Sequence, residues 1–163
     1  TENGAAVVLD TDVSVFDAEL GAVNNFAGVT LSLSRGGGAN AQDQFRATGL
    51  LGPLTQGGAL VYNGTTIGTV TTHSGGALVL SFNASATQAN LDSAVCLIAY
   101  SNSSDTPPAS VQIDWTFNDG NSGAQGTGGA LSATGSTTVT IGATNDAPSL
   151  MISCGLAMRS FDE

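Results

Sequence analysis

The chain has 163 residues, the size of one domain or at most two small ones. Its 13 acidic residues face only 3 basic ones, Arg35, Arg46 and Arg159, which gives a net charge of −10 and leaves no lysine. A lysine-containing phosphate loop and lysine Schiff-base chemistry are therefore excluded. Three scattered arginines cannot form a basic face, so we expect no nucleic-acid partner. No apolar run is long enough for membrane insertion.

The rest of the composition favours strands and turns. Charged residues make up only 10% of the chain but hydrophobic residues 41%, so this is not a charged disordered chain. Glycine, serine, threonine, asparagine and alanine take the place of the missing charge. Threonine, valine and glycine in quantity favour strands and turns over helices.

Alternation of apolar and polar residues is the main secondary-structure signal. The Asn63-Gly64 dipeptide joins two alternating runs and predicts a two-residue hairpin turn. Many short strands separated by turns predict an all-β antiparallel sandwich. The predicted strands are Ala5–Leu9, Val13–Phe16, Gly28–Ser34, Ala59–Tyr62, Thr65–Val70, Ala77–Phe82, Val111–Phe117 and Thr137–Gly142.

One segment has the period of a helix. From Leu91 to Ile98, apolar residues recur at i, i+3, i+4 and i+7, which predicts one amphipathic helix over about Thr87–Tyr100. Ser85 and Gln88 have the spacing of a capping box at its start. We expect this helix to pack across an end or a side of the sandwich.

The two cysteines, Cys96 and Cys154, are too few for a disulfide framework and do not have metal-ligand spacing. They either pair with each other or remain as thiols.

Acidic residues occur in closely spaced pairs, Asp10 with Asp12 and Asp17 with Glu19. Residues two apart on a strand point to the same side, so each pair would place two like charges together. Because the chain has no lysine, the compensating charge would come largely from solvent or from a bound cation. Calcium suits such oxygen ligands, whereas magnesium demands stricter octahedral geometry. The alternative is that these acids are solvated and keep the chain soluble.

Several segments resemble one known family. They are the opening Thr1-Glu-Asn3, the loop Thr116-Phe-Asn-Asp-Gly-Asn121, the junction Asn145-Asp-Ala-Pro148 and, most specifically, the whole stretch Tyr100–Phe117. The run from Glu2 to Pro148 resembles one bacterial cadherin-like repeat of very large secreted adhesins and RTX-type surface proteins.

The resemblance implies an Ig/cadherin-like β-sandwich that binds Ca²⁺ at the junction between repeats. Glu19 departs from the related pattern, which often has Asp there, although either residue can ligate. The implied ligands are Glu2, Asp17, Glu19, Asp119, Asn145 and Asp146. Secondary candidates are Asp10 and Asp12, as a second site, together with Asp105 and Glu163.

The resemblance further implies a structural extender module, not an enzyme, stiffened by calcium in an extracellular or cell-surface adhesin of a Gram-negative bacterium. Residues 1–148 would form the module, and residues 149–163 a tail or the first strand of a following repeat. Its partners would be neighbouring repeats of the same chain, and the isolated domain would be monomeric. The alternative is a ligand-recognition domain of the same kind of protein, which binds a carbohydrate, a host protein or a biofilm surface.

Overall fold

The structure is a computed structural model that describes residues 1–123, 125 and 127–150. The predictions for Glu163, for a Cys96–Cys154 pair and for residues 151–163 of the tail lie outside these residues.

The described chain forms two antiparallel sheets and two short helices. The helices are α1 (Ala18–Val23) and α2 (Gln88–Val95). The strands are β1 (Val7–Val8), β2 (Thr30–Arg35), β3 (Asp43–Ala47), β4 (Ala59–Tyr62), β5 (Thr65–Ser74), β6 (Ala77–Phe82), β7 (Ile98–Asn102), β8 (Ser110–Asn118) and β9 (Ser132–Thr140). One sheet has the order β1-β7-β3, and the other has the order β4-β5-β6-β2-β8-β9. The predicted all-β antiparallel class is confirmed.

The hydrophobic core is built from strands of both sheets. On the large sheet, Leu33 of β2 pairs with Leu78 of β6 on one side and with Trp115 of β8 on the other, and all three are buried. Phe45 and Tyr100 of the small sheet belong to the same core and meet edge to face, with ring centroids 6.0 Å apart. The apolar faces that alternation predicts are therefore the faces that are buried in the core.

The predicted hairpin turn at Asn63-Gly64 is confirmed. Both residues have positive φ angles, 47° and 77°, and they connect β4 to β5 through the Tyr62–Thr65 pair. This is the left-handed conformation that a two-residue hairpin turn requires, and asparagine and glycine adopt it at low cost.

The predicted helix is right at its start and wrong at its end. Helix α2 ends at Val95, and the chain re-enters the small sheet at Ile98 as β7. Because β7 is the central strand of that sheet, Tyr100 pairs with Val7 on one side and with Phe45 on the other. Pairing with two strands outweighs the helical spacing of the apolar residues.

The predicted capping box is also wrong. The N-cap of α2 is Thr87, whose side chain accepts a hydrogen bond from the backbone N–H of Asn90. Gln88 instead donates its side-chain amide to the carboxylate of Asp92 and to the backbone carbonyl of Val15.

Three further differences concern the remaining segments. Residues 13–16, predicted as a strand, form none, because the backbone of Val15 is bonded to side chains of α2 rather than to a neighbouring strand. Strand β3 lies in a region for which the sequence predicted no strand. Helix α1 was not predicted, and it is only 6 residues long.

A buried ion pair connects the two sheets. Arg35, at the end of β2, donates from Nε and Nη2 to both carboxylate oxygens of Asp43 on β3, at 2.8 and 2.6 Å. The Tyr100 hydroxyl (2.6 Å) and the Asn102 amide (2.9 Å) both donate to Oδ1 of Asp43. The side chain of Asp43 is fully buried, and four donor contacts satisfy its charge.

Removing that charge should destabilise the fold. We expect Asp43→Asn to lower the free energy of unfolding by about 3 kcal/mol, because it leaves the partly buried Arg35 without its counter-ion. Urea unfolding of this variant and of the control Asp114→Asn, on a half-buried carboxylate outside the network, measures the effect. Equal stability of the two variants would contradict this role for Asp43.

Tyr100 should titrate late. Burial and the bond to Asp43 raise the pKa of Tyr100 to about 12 from a usual value of 10. Its neutral form therefore contributes stability that is complete below pH 10 and is lost as the pH rises through 12. A spectrophotometric titration of tyrosine ionisation should show a component near pH 12 that Tyr100→Phe removes. A titration identical in the variant would contradict the assignment.

Candidate metal centre

Three carboxylates from distant parts of the sequence lie close together. Glu2 lies near the start, Asp105 lies in the connection from β7 to β8, and Asp146 lies beyond β9. One ligand oxygen from each lies within 4.8 Å of the other two. Glu2 is buried, whereas Asp105 and Asp146 are exposed.

Hydrogen bonds explain why residues so distant in sequence meet. The backbone N–H of Glu2 donates to the carbonyl of Gly142 at 2.9 Å, and the N–H of Thr144 donates to Oε2 of Glu2 at 2.8 Å. The side-chain amide of Asn3 donates to Oδ1 of Asp105 at 2.8 Å. The first residues thus join the segment after β9 to the β7–β8 connection.

The second carboxylate oxygen of Glu2 has no such partner. Oε1 is buried, and no donor among the described residues reaches it. Glu2 as a whole is only 5% exposed, so water does not freely solvate this charge. A buried polar atom without a partner costs roughly 1–3 kcal/mol, and more when it is charged. A cation among the three carboxylates would remove that cost.

No basic side chain in the part of the chain that the structure describes neutralises the cluster. Across residues 1–123, 125 and 127–150, the one ion pair is that of Arg35 with Asp43. Arg46 donates instead to the side-chain oxygen of Gln44 at 2.6 Å. The three carboxylates therefore repel one another, and no positive side chain among the described residues compensates them. Their chemistry suits a hard cation with oxygen ligands.

The structure brings together two of the six principal predicted ligands, Glu2 and Asp146. Asn145 precedes Asp146 and is exposed. The other three, Asp17, Glu19 and Asp119, line a separate cavity beside α1 and the β8–β9 connection.

Local backbone contacts explain the position of two of these acids. Oδ1 of Asp17 caps α1 by accepting from the N–H of Leu20 at 2.8 Å. Oδ1 of Asp119 accepts from the N–H groups of Asn121 (3.0 Å) and Leu131 (2.9 Å) and so closes the β8–β9 connection. Neither carboxylate belongs to the Glu2 cluster.

Neither predicted acid pair lies on a strand. Asp17 and Glu19 lie at the start of α1, while Asp10 and Asp12 follow β1 in an irregular segment. A hydrogen bond between the Asp10 and Asp12 side chains lowers the pKa of Asp10 and raises the pKa of Asp12. Oδ1 of Asp10 also accepts a hydrogen bond from the backbone N–H of Asp12 at 3.2 Å.

The sequence predicts Asp105 only as a secondary candidate. The structure makes it a full member of the cluster, yet its immediate neighbours distinguish it little from any other loop aspartate. Its position depends on Asn3, which lies 102 residues earlier in the chain. The one local signal is the Pro107-Pro108 pair that follows, which restrains the connection.

Comparison of the chain with protein-family models, with curated proteins and with solved structures finds no match. Among the described residues, no helix is long and apolar enough to span a membrane. The family resemblance therefore stays a prediction that depends on the residues themselves.

Neutralising Glu2 should stabilise the metal-free protein. In EDTA, we expect Glu2→Gln to raise the free energy of unfolding by about 1 kcal/mol, because it removes one of three repelling charges and a buried unpartnered anion. The carbonyl oxygen of glutamine can still accept from Thr144. Urea unfolding measures the stability of this variant and of the control Asp114→Asn. Because both substitutions remove one negative charge, the control corrects for the change in net charge. A destabilised Glu2→Gln variant would contradict the unrelieved repulsion.

Proposed function

We propose that the chain is a calcium-binding module and that Glu2, Asp105 and Asp146 hold the ion. The observation that carries this proposal is the carboxylate of Glu2. Its buried Oε1 has no hydrogen-bond partner among the described residues, and one of its oxygens lies within 4.8 Å of an oxygen of each of two further carboxylates. Three carboxylates would supply the anionic part of the coordination sphere, and water or backbone carbonyls would supply the rest.

Calcium fits this donor set better than magnesium. The ligands come from three separate segments, and two of them are exposed, so the site has no rigid octahedral frame. Calcium accepts six to eight oxygens in flexible geometry, whereas magnesium requires near-ideal octahedral geometry and keeps several waters.

The position of the site supports an extender role. Two of the ligands flank the sandwich, since Glu2 precedes the first strand and Asp146 follows the last one. In tandem Ig/cadherin-like repeats, these are the segments through which a module joins its neighbours. Calcium would fix residues 143–150 against Glu2 and so set the angle between modules of a large extracellular adhesin. This role extends the resemblance of the Asn145-Asp-Ala-Pro148 junction.

Calcium should stabilise the folded chain. At a free concentration 100 times the Kd, a single site adds about 2.7 kcal/mol, which for a domain of this size raises Tm by roughly 5–10 °C. Thermal unfolding in EDTA and in millimolar Ca²⁺ measures the shift, and calorimetry measures the affinity. Magnesium at the same concentration should give a smaller shift.

Variants assign the effect to the cluster. Glu2→Gln and Asp105→Asn should each abolish most of the calcium-dependent shift, whereas Asp114→Asn should keep it. Calcium should slow hydrogen exchange of residues 143–150 in the unaltered chain but not in Glu2→Gln or Asp105→Asn. If millimolar calcium does not change the Tm of the unaltered chain, the proposed function is wrong.

A further inference from the structure

Strand β9 is a long edge of the large sheet. It has 9 residues, pairs with β8 along its whole length without a register shift, and contains no charged residue, proline or bulge. Natural proteins usually protect a free edge with such features, or by covering it, because its unpaired backbone groups accept another strand. Within residues 1–123, 125 and 127–150, no strand pairs with the outer side of β9.

The hydrogen bonds at the two ends of β9 show which residues form that outer side. The N–H of Ile141 donates to the carbonyl of Ala109, and the carbonyl of Leu131 accepts from the N–H of Asp119. Antiparallel bonding alternates along the strand, so odd-numbered residues bond to β8. The even-numbered residues 132–140 therefore direct their N–H and C=O groups away from the sheet.

The opposite edge of the large sheet, strand β4, differs from β9. Strand β4 has 4 residues, and part of its outer side is already bonded to the preceding loop. The N–H of Gly52 donates to the carbonyl of Val61, and the N–H of Asn63 donates to the carbonyl of Leu50. An incoming strand would find fewer free groups there.

An apolar groove of about 300 Å³ runs beside β9. Leu31, Trp115 and Phe117 contribute apolar lining, and residues 13–16 form the opposite wall. The wall formed by β9 includes Ala133 and Gly135, whose small size keeps the groove open. The side chain of Phe16 in the opposite wall is exposed. A strand added to β9 would place alternate side chains in this groove.

Carboxylates line both this groove and a neighbouring cavity. Asp10 lines the groove, while a second cavity, which shares Phe16 and Phe117 with it, contains Asp17, Glu19 and Asp119. Among the described residues, no arginine lines either cavity, and the chain has no lysine. The occupant that complements this charge is cationic. A second copy of this chain, with net charge −10 and an uncharged β9, does not provide that complementarity.

We propose that β9 and its groove bind an extended cationic segment of another protein by strand addition. Backbone groups of the segment would bond to the outer side of β9, its aliphatic side chains would enter the groove, and its lysine or arginine side chains would lie beside Asp10 and Glu19. This recognition is separate from the Glu2 cluster and requires no metal ion.

The test uses a synthetic peptide as long as β9, acetyl-KKVTVTVKK-amide, with a fluorescent label, and the complete chain in EDTA. Fluorescence anisotropy should show saturable binding that weakens with salt. The matched peptide acetyl-EEVTVTVEE-amide should not bind. Two further peptides carry N-methyl groups on alternate residues, one on the odd-numbered residues and one on the even-numbered residues. Their affinities should differ, since only one of these two sets of N–H groups bonds to β9.

Protein variants locate the contact. Ser136→Pro removes an outward N–H but no bond to β8, and it should weaken binding about tenfold, whereas Ser136→Ala keeps the N–H and should bind normally. Glu19→Gln should weaken binding about two- to fivefold at low salt. A melting curve for each variant verifies folding, and the N-methylated peptides test the edge if Ser136→Pro fails to fold.

Three results would overturn the proposal. They are equal binding of the lysine and glutamate peptides, equal binding of both N-methylated peptides, and binding that appears only when the chain is truncated after Leu150. The last result would assign the groove to residues 151–163 of the same chain. Loss of calcium binding with peptide binding intact would affect the proposed function alone, so the two proposals fail separately.

Discussion

The buried carboxylate of Asp43 is the contact on which the arrangement of the two sheets depends. It gathers donors from the end of β2, in the large sheet, and from β7, in the small one. A buried pair of this kind adds little net stability over apolar packing but is costly to break. It also uses one of only three arginines in the chain, and this has consequences for every other acid.

The remaining acids must find compensation elsewhere, and the structure shows how some of them do. Asp17 and Asp119 accept backbone N–H groups, and Asp10 accepts the backbone N–H of Asp12. Glu2 is different because one of its oxygens accepts a hydrogen bond, whereas the other is buried and has no partner among the described residues. That asymmetry separates a candidate ion site from acids that serve the backbone or the solvent.

The sequence predicts strands well where alternation is strict, as in Ala77–Phe82, which matches β6 residue for residue. It fails at residues 98–102, because apolar spacing cannot distinguish a helix from a buried central strand. It predicts Glu2 and Asp146 through the family resemblance. It gives Asp105 only as a secondary candidate, since the position of Asp105 depends on a contact between its loop and Asn3, which lies 102 residues earlier.

The same excess of negative charge can serve two different ligands, and burial decides which one fits. Around Glu2, one carboxylate is almost fully enclosed, so only a small ion can reach its free oxygen. Beside β9, Glu19 is exposed next to an open apolar groove, where long lysine or arginine side chains can keep their charged ends in water and bury their aliphatic stems. A metal ion there would gain little, because Asp17 and Asp119 already accept backbone donors. A chain without lysine thus offers one type of charge in two settings, a closed one for a cation and an open one for a cationic polypeptide.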